Sequence, residues 1–206
     1  MRRSDYSSQN KNEINEIAQN CIVGNLGIID SNQFPRVVPL NFVYSDDCIY
    51  FHGANEGEKF DVFKANPKVS FSIVEPYSLI PSYWIAKDYA CPATQFYKSI
   101  YFIGIGKIEF SVEKKASILE LFMQKYQPEG RYKTITTKDS LYTKALDEVN
   151  LFKIVPKHID LKFKFGQNMS LNKRKILIGK LEDRQEGIDL KTAVEIQKTL
   201  SILNYQ

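Results

Sequence analysis

Between residues 36 and 66 the apolar and polar positions change period. Val38, Leu40, Phe42 and Tyr44 alternate with Val37, Pro39, Asn41 and Val43, the two-residue period of a strand. The first set predicts a core face. The second mixes apolar residues with Pro and Asn, and proline, which lacks a ladder donor, is confined to sheet edges, ends and bulges. Asp46 and Asp47 predict a turn, and residues 48–51 the returning strand. His52, Gly53 and Ala54 then lead into a helix that opens near Asn55 or Glu56, carries Lys59 in its first turns and is stopped by Asn66 and Pro67.

The same alternation predicts strands over residues 21–29, 68–75, 99–112 and 158–165. In the third of these, Gly104 and Gly106 share a side, which implies tight curvature or close backbone approach. Helical spacing predicts a short helix from Lys11 or Asn12, one over 113–127 with Ala116, Leu119, Met123 and Tyr126 near one face, and a weaker one over 138–150. Residues 76–98 lose periodicity but keep Tyr77, Tyr83, Trp84, Tyr89, Phe96 and Tyr97. A loop of that length is either a functional lid or an aromatic plug. Two further helices, 170–181 and 189–203, close the chain, the second with Asp189 as N-cap and Ala193, Ile196, Leu200 and Leu203 on one stripe. That stripe packs either on its own barrel or on a partner subunit. From the residues alone the fold class is mostly β with four or five helices.

A chain of 206 residues, 43% hydrophobic and 25% charged, is long enough for one main domain and an appendage. Its formal charge of +4 is spread among acidic residues and does not argue for a nucleic-acid partner. The one basic triplet, Lys173-Arg174-Lys175, reads as a solvated turn of helix. Three cysteines without CxxC spacing argue against a disulfide scaffold or a metal site and suit a reducing compartment. With no apolar leader and no membrane-length run, the expectation is a soluble cytoplasmic protein.

The candidate chemistry sits where the second strand of the hairpin meets its helix. Gly53 lets backbone approach a ligand, a helix start presents unsatisfied donors, and His52 and Lys59 stand nearby. This combination predicts an anion site suited to a phosphate monoester. Arg36, at the mouth of the hairpin, is either a surface charge or a contact to the ligand or a second subunit.

The run Val-Pro-Leu-Asn-Phe over 38–42, followed by Tyr-Phe-His-Gly-Ala-x-Glu-Gly-x-Lys-x-Asp over 50–61, resembles the flavin-nucleotide-binding split-barrel proteins related to pyridoxamine 5′-phosphate oxidase. Within them it is most similar to the branch of the nitroimidazole-resistance reductases. A second stretch, Cys91-x-x-Thr94-x-x-Tyr97-x-Ser99, is similar to another motif of the same family. Lys98 stands where many relatives carry arginine. The resemblance implies a six-stranded antiparallel split barrel over residues 1–165 with flanking helices, and a helical extension over 166–206. It implies a homodimer with flavin mononucleotide (FMN) at its interface. Val38, Pro39, Leu40 and Asn41 would line the isoalloxazine, His52, Gly53, Ala54 and Lys59 would hold the phosphate, and Thr94, Tyr97 and Ser99, from either subunit, would close over it. The implied activity passes electrons from a reduced nicotinamide through FMN to a small oxidised acceptor, with His52 as candidate catalytic proton donor. A non-catalytic flavin or nucleotide sensor and a haem-binding split barrel are the alternatives.

Overall fold

The computed structural model describes residues 6–7, 12–65 and 67–201. Lys11, Asn66 and Leu203, which enter the predicted helix ends, lie outside them. In chain order the elements are α1 (Asn12–Asn20), β1 (Gly24–Ile29), β2 (Pro35–Leu40), β3 (Val43–Ser45), β4 (Cys48–Gly53), α2 (Glu58–Lys64), β5 (Lys68–Ile80), β6 (Thr94–Glu109), α3 (Val112–Tyr126), α4 (Thr143–Glu148), β7 (Asn150–Lys164), α5 (Leu171–Arg184) and α6 (Asp189–Ser201). The strands form one sheet in the order β2-β1-β5-β6-β7-β4-β3. Two compact units divide the chain, one of Asn10–Ile73 and Tyr101–Ile159, the other of Met1–Gln9, Val74–Ile100 and Asp160–Gln206.

The sheet has seven strands among the described residues where six were expected. The predicted strand over 36–44 breaks at Asn41 and Phe42, leaving β2 and β3 as separate strands at opposite ends of the sheet order. The backbone of Phe42 bonds to side chains instead of a neighbouring strand. Its N–H donates to the Tyr126 hydroxyl at 2.9 Å, and its carbonyl accepts from Tyr126 at 2.9 Å and from Lys125 at 2.9 Å. β2 pairs with β1 from Gly24 opposite Leu40 to Ile29 opposite Pro35. As an edge strand it tolerates Pro39, and Val38 and Leu40 are half-buried where a full core face was expected.

In the first unit the core includes Ile14 and Ile17 of α1, Phe42 packed edge-on to Phe71 with centroids 5.2 Å apart, and Phe51 stacked on Phe152 at 5.0 Å. A Cβ at Gly106 would lie 2.7 Å from the Phe63 ring, and one at Gly104 would strike the Val155 carbonyl. The two glycines therefore admit the close approach their spacing predicted. The buried face of α3 is Lys115, Ala116, Ile118 and Phe122, offset from the expected stripe, and Ser111 caps the helix by accepting from the Lys114 N–H at 3.2 Å. The predicted helix over 138–150 contracts to the six residues of α4, of which only Leu146 is buried.

In the second unit β5 runs on to Ile80, through Glu75 and Pro76, which from sequence alone mark a strand end. Glu75 is buried but is met by Lys191 Nζ at 2.7 Å, so the charge does not stop the strand. The aperiodic stretch shrinks to residues 81–93, and Trp84 and Ile85 pack on the cluster of Tyr77, Ile80, Phe96, Phe165, Leu177 and Ile196. Tyr83 and Tyr89 stay exposed. α6 buries Ala193 and Ile196 as expected, together with Asp189, Thr192, Glu195 and Thr199, which an apolar stripe cannot reveal. Arg174 corrects the reading of the basic triplet: it is buried, and its guanidinium donates to the Thr199 carbonyl at 2.9 Å and hydroxyl at 2.8 Å.

Candidate functional site

The end of β4 and the start of α2 enclose a cavity of about 220 Å³, lined on one side by Arg36 and Val38 of β2 and on the others by Ala54, Gly57, Lys59 and Phe152. Gly57 precedes α2 with φ of 94° and ψ of 173°, a conformation essentially reserved for glycine, and its carbonyl accepts from the Asp61 N–H. Gly53 lies against two of the lining residues. A Cβ there would stand 3.3 Å from the Phe152 ring and 3.9 Å from Lys59 Cε. Lys59 makes no ion pair among the described residues, whereas the Arg36 guanidinium lies 3.4 Å from the Glu58 carboxylate, both partly exposed. Glu56 also reaches the lining. The cavity thus holds one uncommitted cation and one whose carboxylate partner is weakly held at a wet surface.

Of the residues implied by the resemblance, Val38, Ala54 and Lys59 line this cavity and Gly53 borders it. Pro39 and Leu40 continue β2 beyond it. The Asn41 side-chain amide is committed to the Ile22 carbonyl at 2.9 Å.

His52 is not brought together with Lys59. Phe51 pairs and stacks with Phe152 on the cavity side of β4, whereas His52 pairs in register with Leu151 and sets its ring edge-on to Phe122 of α3 at 5.0 Å. Alternation along the strand therefore puts His52 on the opposite face from Gly53 and Lys59. The residue is exposed overall, but burial of its ring pushes its pKa below the ordinary histidine value, so the imidazole is neutral at neutral pH. A neutral imidazole on the far face of the strand gives no electrostatic support to an anion beside Lys59.

Thr94, Tyr97 and Ser99 belong to the other compact unit. There Thr94 lines a cavity of about 340 Å³ with Cys91, Lys164 and Asn168, and its hydroxyl accepts a hydrogen bond from Lys164. The ammonium groups of Lys162 and Lys164 lie 5.2 and 5.8 Å from the Tyr97 ring centre. Ser99 is half-buried and lines neither cavity. Sequence reasoning missed this pair of lysines, although their alternate positions on the polar side of β7 were the signal. Lys98 points the other way: it is fully buried against Glu195, 3.0 Å away, and is not free for a ligand.

A mainly β chain with an antiparallel sheet, flanking helices and a small cleft lined by two cations and two carboxylates beside its edge strand falls in the split-barrel class. The family model for pyridoxamine 5′-phosphate oxidase matches residues 10–163, and the chain belongs to that family. No curated protein matches it. Among solved structures it is similar to a candidate 5-nitroimidazole antibiotic resistance protein from Bacteroides thetaiotaomicron, at 22% identity over 76% of this chain and 85% of that one, with a TM-score of 0.61. An FAD and heme binding protein from Mycobacterium smegmatis superposes with a TM-score of 0.64 at 13% identity, covering 78% of this chain and 74% of that one. The flavocytochrome Anf3 from Azotobacter vinelandii gives 0.62 at 15% identity over 77% and 69%. No helix among the described residues is long and apolar enough to cross a membrane.

Proposed function

We propose that this protein binds FMN and works as a flavin-dependent oxidoreductase, with the cavity between Arg36 and Lys59 receiving the phosphate end of the cofactor. The observation that carries the reading is the conjunction of a Lys59 without an ion pair among the described residues, the cleft it lines beside Gly53, and membership of the pyridoxamine 5′-phosphate oxidase family. The cavity fits a phosphate and the chain beside it, while at about 220 Å³ it falls below the range that encloses a whole cofactor. The ring system would therefore extend past it along Val38, Pro39 and Leu40. Phe34 and Val37 are two-thirds or more exposed next to that path, which favours a second copy of the chain as cover.

Lys59 supplies a compact charge to the phosphate, and Arg36 a planar donor pair once Glu58 gives way to the stronger acceptor. The backbone of β2, an edge strand, offers donors and acceptors to the polar rim of the ring. When bound, a flavin supplies two-electron exchange between a reduced nicotinamide and a small oxidised acceptor. No side chain of the cavity is placed as an acid or base, so the chain's contribution is position, charge and exclusion of water.

The test is the absorption spectrum of the purified protein after reconstitution with FMN, followed by anaerobic addition of NADH and of NADPH. Bleaching of the flavin bands by either nucleotide, and their return with an acceptor, is the expected result. Bound flavin that neither nucleotide reduces would leave a sensor, and a haem spectrum would replace the reading altogether.

A further inference from the structure

A second cavity, of about 310 Å³, lies in the first unit and is lined by the polar side chains Asn15, Gln19, Gln124 and Tyr44 together with Lys125. Lys125 is half-buried there. Its Nζ donates to the Ala18 carbonyl at 2.8 Å, in the last turn of α1, and to the Phe42 carbonyl at 2.9 Å, and it stands 3.8 Å from the Phe42 ring centre. No carboxylate pairs with it among the described residues. The titratable groups near it are Cys21 after α1, and Tyr126 on its own helix and Tyr44 across the cavity, whose hydroxyls burial pushes above the ordinary phenol value.

This is an unusual setting for a lysine. A cation taken from water is normally repaid by an anion, and here it meets two neutral carbonyls and an aromatic face. Those contacts oppose the loss of hydration without cancelling it, and burial brings the pKa down to about 8, with Cys21 pulling slightly the other way. A neutral amine has two N–H bonds and one lone pair. Both carbonyl acceptors stay satisfied after the proton leaves, and the lone pair remains for chemistry.

We propose that Lys125 is a nucleophilic amine that captures a small aldehyde as an imine inside this cavity. The neutral Nζ forms a C–N bond to the carbonyl carbon, a proton passes from nitrogen to oxygen, and the carbinolamine loses water. Nothing is oxidised or reduced, and the reverse reaction returns the aldehyde. The volume admits a compact molecule, and the amides of Asn15, Gln19 and Gln124 match an aldehyde with hydroxyl or carboxylate substituents. This site is separate from the cleft at Lys59 and does not rest on the flavin reading.

The experiment uses propionaldehyde with sodium cyanoborohydride, which reduces the imine to a stable alkylamine, and measures the alkylation rate of every lysine by peptide mass spectrometry. At pH about 7.5, Lys125 is expected to react about tenfold faster than the median lysine, with a rate that levels off above pH about 8. Reaction at or below the median, or a rate still climbing at pH about 10 as for an ordinary lysine, would overturn the proposal. A Lys125→Arg protein keeps the cation and both carbonyl bonds but cannot form an imine. It should melt like the parent and lose the fast-reacting fraction, and persistence of that fraction would count against the assignment. Should the variant not fold, the site-resolved rates of the parent decide the matter alone.

Discussion

Lys98 of β6 and Glu195 of α6 meet at 3.0 Å with side chains 1% and 8% exposed, 97 positions apart in the chain. The approach lacks hydrogen-bond alignment, and the ammonium is instead flanked by the rings of Tyr77 and Phe163 at 5.8 and 5.4 Å. Lys198 also reaches Glu195, at 2.7 Å, from the wetter side. Removing Glu195 leaves the buried Lys98 ammonium alone, removing Lys98 leaves Glu195 with Lys198 only, and removing both leaves only a gap to fill.

Glu195→Leu should therefore destabilise the protein by about 3 kcal/mol in urea unfolding, and Lys98→Met by less, because Lys198 still meets Glu195. The double variant should recover most of that loss. If the two losses simply added, the pair would not be coupled as described.

A second tie of α6 sets the acid limit. Asp189 accepts from Arg184 at 2.6 and 2.7 Å and from the Ser78 hydroxyl at 2.5 Å. The guanidinium bonds hold its carboxyl down at about 2, below the ordinary value of 3.8. Because the folded pKa is the lower one, the stabilisation is complete above pH 4 or so and is lost as pH falls through the interval to about 2. Melting temperature against pH should drop across that interval by an amount worth about 1 to 2 kcal/mol, and Asp189→Asn should flatten the drop while lowering the plateau.

At the cleft, Glu58 competes with any anion for Arg36. Glu58→Gln should tighten FMN binding several-fold, and Lys59→Ala should weaken it about tenfold, as judged by quenching of flavin fluorescence. Opposite signs from two adjacent residues would be hard to produce by general loss of structure.

His52→Ala should leave FMN affinity within about twofold of the parent, since a tenfold change would need more than 1 kcal/mol from a neutral ring on the other face of β4. The same titration checks it. A large loss would mean that His52 meets the cofactor in the assembled protein.

Much of the fold was legible because burial and period agree. Ile14 and Ile17, the Phe51 strand, and Gly104 and Gly106 read directly, whereas the strand expected over 158–165 begins at Asn150 and of its inward set only Leu161 and Phe165 are buried. What failed did so where polar groups are satisfied from far away in the chain. Glu75 and Pro76 concealed the continuation of β5 because Lys191 comes from 116 positions onward, and Arg174 looked solvated because its acceptors at Thr199 belong to another helix. Asn41 and Phe42 read as strand because side-chain partners for a backbone leave no local pattern. The candidate site was half legible: Val38, Gly53, Ala54 and Lys59 converge, but spacing along β4 cannot show that His52 faces Phe122, which α3 brings from 70 residues away.

The most direct measurement compares FMN with riboflavin, which differ only by the phosphate. Titrated against the parent protein under one buffer and salt condition, FMN should bind at least about tenfold more tightly, and Lys59→Ala should close most of the difference. Equal affinity for the two flavins would mean that the cleft between Arg36 and Lys59 does not hold the phosphate.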